Sequence, residues 1–496
     1  MRLCFRLLAL LLCLAPMTAR ADGLAVTDAG ALHALETSRF GLAQMLAPAA
    51  SPPIFSDTLF ALPSMALVQV ALSDAFARYF ADHRTRSPND SIGVGAGHDV
   101  LLFDKAMLTS PDTRFVLAGI VNRMDRAYVA PETCGEIRLI YRLTRTTAGD
   151  TPPRLPMTLN LVLHARAPGA SITCADLAAR WLTSSAATET GAALADRLIA
   201  NDGPLATVNA AQIDRIETNI QIGHRPKSEV QEFRTDYLQK VFHLDATTKQ
   251  FREAPMENQI DRDRLLADTA LGREFRDWLL APANLRAFDR GTVLIPEKFL
   301  ATTSLAATPV GFAPSALQPA FGLMADGKGK GVFTERDVVA ALARAAAQGG
   351  ALENIRSPDG FARRLNDVTC GGCHQIRGIG GFHFTGVDTL APQAVQGAVP
   401  TSPHFRADQP RRRDIVMSMR DGKAPDFSRG FSDRPQVRGS AELAGTSLLD
   451  GWGATCYRRD KGRVDASFAS WACAEGLSCQ PVSGNADSRM GMCFVK

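Results

Sequence analysis

The cysteines of this chain fall into separated groups, and each group limits what its own segment can fold into. Cys134 and Cys174 lie far apart in the first half, and Cys370 and Cys373 form a C-x-x-C pair. The last group lies near the C-terminal end and consists of Cys456, Cys473, Cys479 and Cys493. This density is typical of small disulfide-stapled modules, in which an apolar core alone is insufficient. Four cysteines allow three pairings, and all three stay open.

The first 21 residues have the features of a secretory signal peptide. Arg2 and Arg6 give a positive start, residues 7–14 are apolar, and Ala19 and Ala21 are small residues at the positions that a signal peptidase reads. The apolar stretch is shorter than the roughly 20 residues that cross a bilayer. We therefore expect cleavage after Ala21, a periplasmic or secreted location, and no transmembrane segment. An oxidising compartment favours disulfides among the cysteines that remain.

The charge of the chain argues against nucleic acid as a partner. The 55 basic and 51 acidic residues nearly balance, and the signal peptide carries three of the basic ones. Binding to phosphates needs a concentrated basic face. The one basic run, at residues 411–413, is flanked by Asp408 and Asp414. This flanking favours a solvated helix start over a binding patch.

Composition and motifs divide the chain into five segments. After the signal peptide (1–21) we expect a mixed α+β domain (22–330), a small helical segment with the C-x-x-C pair (331–425), a linker (426–449) and the cysteine-rich module (450–496). Strands are predicted at 115–121, 137–143 and 159–163, and a hairpin is predicted from strands at 237–243 and 248–252. Helices are predicted at 67–81, 177–183, 194–200, 263–280, 335–347 and 358–366.

Cys134 and Cys174 are the only cysteines of the α+β segment. Cys134 precedes a predicted strand, and Cys174 follows Ser171 and Thr173 at a predicted helix start. A disulfide between them would close a loop of about 40 residues and stabilise the fold by about 3–4 kcal/mol. We predict this bond, with two buried free thiols as the alternative.

Cys370, Gly371, Gly372, Cys373 and His374 spell C-x-x-C-H. Over these residues the chain resembles the c-type cytochromes. The resemblance implies one covalently attached haem c, with thioether bonds from both cysteines and His374 as the proximal iron ligand. It implies electron transfer as the function, with a redox partner that the sequence does not identify. Whether the chain is also an enzyme stays open.

The sixth iron ligand is not determined by the sequence. Met417 and Met419 follow the motif at a distance possible for a methionine ligand, although Pro425 and Gly430 interrupt any closing helix after them. His383 or His404 would give bis-histidine iron instead. An open sixth position is the third alternative.

Other functions of the C-x-x-C pair also stay open. Cys370 and Cys373 would suit a redox dithiol if a strand and a helix flanked them as in thioredoxin, and that context is absent. A zinc site with His374 and His383 is awkward because Cys373 and His374 are adjacent. A structural Cys370–Cys373 disulfide would make the chain a haem-free secreted binding protein, whose C-terminal module contacts a surface or a protein partner.

The whole chain also resembles a group of uncharacterised secreted bacterial proteins, through residues 122–125, 134–138, 232–234 and 369–374. The resemblance implies that the charged residues of these pieces form a site or a buried network. These residues are Asp125, Glu136, Arg138, Glu232 and Arg234. Charges at strand positions are rarely buried unless they are paired. We therefore expect a structural ion-pair network.

Overall fold

The structure is a computed structural model, and it describes residues 24–86, 90–91, 103–146, 154–226, 234–307, 323–324, 331–370, 403–431, 455–459, 465–469, 471–473, 475–481 and 490–495. The predicted signal peptide lies outside these residues. Cys373, His374 and His383 also lie outside them. No helix within the described ranges is long and apolar enough to cross a membrane.

The described chain combines helices with mainly antiparallel strands, which confirms the predicted α+β class. The strands are β1 (Ala25–Val26), β2 (Asp90–Ser91), β3 (Thr113–Arg123), β4 (Glu136–Arg145), β5 (Arg154–His164), β6 (Ile213–Pro226), β7 (Arg234–Leu244), β8 (Phe251–Ala254), β9 (Thr303–Ala307), β10 (Thr455–Tyr457), β11 (Leu477–Pro481) and β12 (Met490–Val495). The helices are α1 (Ala29–Leu35), α2 (Leu42–Leu46), α3 (Ser56–Ala61), α4 (Ala66–Arg86), α5 (Cys174–Ser185), α6 (Gly191–Ile199), α7 (Arg262–Ala267), α8 (Thr269–Leu279), α9 (Pro282–Asp289), α10 (Glu335–Ala347), α11 (Pro358–Asp367) and α12 (Pro403–Arg420).

Strands β1 to β9 form one sheet in the order β1-β3-β4-β5-β6-β7-β8, with β2 beside β6 and β9 beside β7. The strands predicted at 115–121, 137–143 and 159–163 are confirmed as parts of β3, β4 and β5. The predicted hairpin is confirmed as β7 and β8. Asp245 closes its turn, since one carboxylate oxygen accepts the amides of Thr247 at 2.9 Å and Thr248 at 2.7 Å.

The sheet has two buried faces of different chemistry. Because side chains alternate along a strand, Ile137, Leu139 and Tyr141 of β4 lie in an apolar core that α1 to α6 cover. Glu136 and Arg138 lie on the opposite face. Glu136 is paired with His164 of β5, and Arg138 is paired with Val162, which is itself paired with Arg215 of β6. The second face therefore supplies fixed charges to the interior of the molecule.

A second apolar core lies beyond residue 260. Phe275 of α8, Leu285 of α9, Val338 of α10 and Phe361 of α11 contribute to it. Its members run from residue 260 to residue 365, so the segment boundary expected at 330 falls inside this core. Helices α10 and α11 agree with the helices predicted at 335–347 and 358–366.

The helix predicted over residues 263–280 is wrong as a single helix. The structure has two helices, α7 and α8, which meet at Asp268. The Asp268 carboxylate accepts the backbone amides of Ala270 at 2.9 Å and Leu271 at 3.0 Å. Aspartate is strongly favoured at this N-cap position, so it starts a new helix here and does not continue the first.

The described cysteines other than Cys370 are paired, which confirms the predicted disulfide bonds. Cys134 and Cys174 are joined, with their Cα atoms 5.4 Å apart. In the C-terminal module the bonds are Cys456–Cys479 and Cys473–Cys493. The module is a three-stranded sheet in the order β10-β12-β11.

Candidate functional site

Helix α11 leads the chain to Cys370. Ser357 caps the helix by accepting the Gly360 amide at 3.0 Å, and Pro358 takes the first helical position. Every residue from 360 to 367 is buried. Beyond the helix, the Thr369 hydroxyl donates to the Asn366 carbonyl oxygen at 2.9 Å. Packing thus fixes the direction in which the chain reaches the C-x-x-C-H motif.

Cys370 carries a free thiol and is half-buried. Its Sγ atom lies 3.9 Å from the Glu257 carbonyl oxygen. Burial, followed by the negative charges of Glu217 and Glu257, raises the pKa of the Cys370 thiol to about 12. Arg138 opposes this shift without cancelling it. The thiol is therefore protonated at neutral pH.

Cys370 lines a cavity of about 490 Å³, which is within the size range of small-molecule and cofactor sites. One wall is the charged face of β4 to β7. The facing wall comes from residues 255–258, from Ile295 and Leu300, and from residues 367–370 at the end of α11. Arg429 completes the lining from the chain that follows α12. The cavity thus lies between the sheet and the second core.

Glu136 is the centre of the first ion-pair cluster on the cavity wall. Its carboxylate accepts Arg126 Nε at 3.0 Å, Arg215 Nη2 at 2.9 Å and Arg138 Nη2 at 3.0 Å. Burial opposes ionisation, but the three arginines outweigh it and hold the pKa of Glu136 well below its ordinary value. Glu136 is therefore a buried anion fixed in place by charge-assisted hydrogen bonds.

Three more carboxylates extend this cluster. Glu217 pairs with Arg138 at 3.0 Å and with Arg215 at 2.9 Å. Glu257 pairs with Arg126, and Asp214 pairs with Arg215 at 2.7 Å. We call the whole set the Glu136 cluster: Arg126, Glu136, Arg138, Asp214, Arg215, Glu217 and Glu257. With three arginines and four carboxylates its net charge is −1, in agreement with the raised pKa of the Cys370 thiol.

A second cluster surrounds Asp125, whose side chain is fully buried. One of its oxygens accepts Arg429 Nη2 at 2.7 Å and Arg411 Nη2 at 3.2 Å, and the other accepts Arg123 Nε at 2.9 Å. Asp408 binds Arg411 Nε at 2.6 Å and Arg412 Nε at 2.7 Å. The Asp125 cluster is Arg123, Asp125, Asp408, Arg411, Arg412 and Arg429. Four arginines face two carboxylates, so its net charge is +2.

The prediction of a solvated helix start at residues 411–413 is wrong. These arginines lie in the middle of α12, and Arg412 is buried with a side-chain exposure of 1%. Arg411 and Arg412 turn toward Asp408 and the buried Asp125. A buried carboxylate without cationic partners is strongly destabilising, so Asp125 requires arginines to pair with it.

The C-terminal module packs against α11. The Arg363 guanidinium lies between the rings of Phe431, Phe468 and Trp471, with Cζ to centroid distances of 4.4, 5.1 and 4.7 Å. Its Nε lies 3.7 Å from the Asp367 carboxylate, and its terminal nitrogen donates to the Ser467 carbonyl oxygen. The module thereby holds α11, the helix that precedes Cys370.

Among the described residues, the structure does not bring the expected ligands of the haem iron to the cavity. Met419 packs against the first core, and neither Met417 nor Met419 is among the described residues that line the cavity. His383 and the side chain of His404 lie outside what is described. The cavity lining instead includes His164 and His243.

The expected ion-pair network is confirmed for Asp125, Glu136 and Arg138. Glu232 and the side chain of Arg234 lie outside the described residues. Six residues of the two clusters are not predicted from the sequence, namely Arg126, Asp214, Arg215, Glu217, Glu257 and Arg429. A signal existed for two of these, because Arg215 and Glu217 alternate with buried isoleucines along β6.

Comparison with protein-family profiles, curated proteins and solved structures finds no match to this chain. The site combines a half-buried free thiol, a cavity with charged walls and two ion-pair clusters of opposite net charge.

Proposed function

We propose that the protein carries one c-type haem, bound covalently through Cys370 and Cys373 with His374 as an iron ligand, and that it transfers single electrons. One observation carries this proposal. Cys370, the first residue of the C-x-x-C-H motif, is a free thiol on the wall of a cavity of about 490 Å³. A group attached at this residue would therefore start at a space suited to a cofactor.

The lining residues fit a porphyrin in two respects. Met256, Ile295, Leu300 and Val368 offer apolar contacts to a macrocycle. Arg429 and other arginines of the wall offer partners to the two carboxylates at its edge. A thioether bond needs a thiol that is not already in a disulfide, and Cys370 satisfies this condition.

The state of the Cys370 thiol disfavours the other functions of the motif. Dithiol exchange and zinc binding both use the thiolate, whereas the pKa of Cys370 is raised to about 12. A structural Cys370–Cys373 disulfide is disfavoured because Cys370 is not bonded, while each other described cysteine is.

Bound haem would supply a reversible one-electron couple at its iron. The protein's own residues would set the electrostatic surroundings. The net negative Glu136 cluster beside Cys370 favours the more positive, oxidised form of a redox group. For the sixth iron position we keep His383, Met417 and Met419 as candidates. Met419 packs against the first core, which argues against Met419 as this ligand. His164 and His243 line the cavity and are further candidates.

The test is a pyridine haemochrome spectrum with an intact mass, on protein exported by a host that has the c-type maturation system. We expect a haem-sized mass increment and the α band of haem with two thioether bonds. Cys373→Ala should leave one thioether bond and shift that band. The matched control is the double variant Cys473→Ala and Cys493→Ala, which removes one disulfide of the C-terminal module and no haem-attaching cysteine, and which should leave the spectrum unchanged.

A colourless protein would overturn the proposal. If its mass were lower only by the hydrogens lost to four disulfides, Cys370 and Cys373 would be a structural pair. The chain would then be a haem-free secreted binding protein, and its C-terminal module would be the first surface to test for a partner.

A further inference from the structure

The Asp125 cluster holds more positive charge than its own carboxylates neutralise. Among the residues that the structure describes, Arg123, Arg411 and Arg429 bind Asp125, and Arg411 and Arg412 bind Asp408. The side-chain exposures of Arg412 and Asp125 are 1% and 0%. Uncompensated charge in such an environment is unfavourable unless an anion joins it.

Despite burial, Asp125 raises the pKa of Arg123 and Asp408 raises the pKa of Arg411, whereas the pKa values of Arg412 and Arg429 are lowered. Burial and then the neighbouring Arg123 lower the pKa of Arg412 to about 10. Burial and then Arg411 lower the pKa of Arg429. Two buried donors, Arg411 Nη1 and Arg429 Nε, have no hydrogen-bond partner among the described residues. The cluster therefore has both the charge and the donors to bind an oxyanion.

Arg429 connects this cluster to the cavity, since it lines the same space as Cys370. Its backbone is held on both sides: its amide donates to the Arg290 carbonyl oxygen at 2.7 Å, and its carbonyl accepts Arg364 Nη2 at 2.9 Å. Gly291 adopts a φ of +69°, and a Cβ atom there would lie 3.3 Å from Arg429 Cβ. The guanidinium is thus positioned before any ligand binds.

We propose that Arg429, with Arg123 beside it, binds a carboxylate group of the ligand that occupies the cavity. This inference rests on the proposed function, because the propionate groups of the attached haem are the nearest source of carboxylates. A free small carboxylate is the other source of the same chemistry. The Glu136 cluster carries a net negative charge and repels carboxylates, so the ligand's anionic edge faces Arg429 and not Glu217.

The test uses the haem-loaded protein and the variants Arg429→Gln and Arg429→Lys. Arg290→Gln is the matched control, because the Arg290 side chain is exposed and pairs with Asp426. Resonance Raman spectra report the propionate bending mode, which shifts when the hydrogen bonds of the propionates change. Titration calorimetry with citrate measures whether the protein binds a free small carboxylate. Circular dichroism checks folding, and if Arg429→Gln does not fold, Arg429→Lys keeps the charge beside Asp125 while losing the paired donors.

If the haem supplies the carboxylate, both Arg429 variants shift the propionate mode and Arg290→Gln does not. If a free carboxylate is the ligand, the mode is unchanged, but the wild type binds citrate and the Arg429 variants bind it at least about tenfold more weakly. An unchanged mode without citrate binding overturns the inference. Absence of haem overturns the proposed function alone, since the citrate titration still tests Arg429 in the haem-free protein.

Discussion

Three guanidinium groups bind the Glu136 carboxylate, so its negative charge stabilises the fold more than that of a surface carboxylate. We expect Glu136→Gln to lower the free energy of unfolding by about 3–5 kcal/mol, because three buried arginines lose their common anion. Urea unfolding measures this loss. The matched control is Glu189→Gln, which removes an exposed pair with Arg197 and should change stability little. Equal losses of stability in the two variants would show that the buried Glu136 carboxylate stabilises the fold no more than an exposed one.

The same carboxylates predict how stability depends on pH. The pKa values of Asp125 and Glu136 lie well below their ordinary values, and that of Asp408 is lowered to about 2. In the unfolded chain these groups take up protons near pH 4, so their contribution is complete above about pH 5 and is lost as pH falls toward 2. Asp367 acts in the opposite direction, because burial raises its pKa.

Unfolding free energies measured from pH 6 to pH 2.5 should therefore fall steadily below about pH 5. The slope should be shallower in Glu136→Gln, which has one such group fewer. A stability that stays constant over this range would mean that the low pKa values of the buried carboxylates do not persist in solution.

At the scale of elements, the Cys134–Cys174 bond ties the start of α5 to the connection before β4. Its sequence separation is 40, for which loop closure predicts a loss of about 4 kcal/mol when both cysteines become alanine. Thermal and urea unfolding measure the loss. The double variant at Cys473 and Cys493 is the control, because that bond lies in the C-terminal module, and there we expect the first core to keep its stability.

Elements also show what the sequence could predict. The strands β3, β4 and β5 are evident from local patterns, and so are α10 and α11, since each has its own apolar periodicity and caps. Strand β6 has a similar pattern of isoleucines and charged residues, although no strand is predicted there. At Asp268 one helix ends and the next begins. An aspartate can either cap a new helix or lie within a continuing one, and its residue type alone does not determine which occurs.

At the scale of the whole molecule, the C-terminal module and the segment around Phe431 enclose Arg363 on α11. We expect removal of residues 450–496 to loosen α11, because the guanidinium loses two of its three aromatic partners while staying next to Asp367. Hydrogen exchange of peptides covering 358–370 should become faster, while peptides of β4 and β5 should be unaffected. Unchanged hydrogen exchange in α11 would show that the module contacts the helix without stabilising it.

The candidate site was only partly predictable because its contacts are long-range. The sequence placed Asp125, Glu136 and Arg138 in an ion-pair network. Two partners of Asp125, Arg411 and Arg429, lie 286 and 304 residues further along the chain. The sequence around Arg429 has no pattern that indicates a buried ion pair, because Arg429 follows the end of α12 in a segment without regular structure. Such pairs are visible only once the fold brings the segments together.

The ionic face of the sheet also limits how this protein can change over generations. A side chain in the apolar core can be exchanged for another of similar volume with a modest loss of stability, because van der Waals contacts do not depend on charge. Arg138 and Arg215 each have more than one anionic partner, so a reversal of either charge leaves several neighbours unbalanced at once. Viable variants of this face should therefore carry grouped, compensating changes. A library randomised at positions 136, 138, 215 and 217 should return linked charge patterns, whereas one randomised at 137 and 139 should return independent apolar residues.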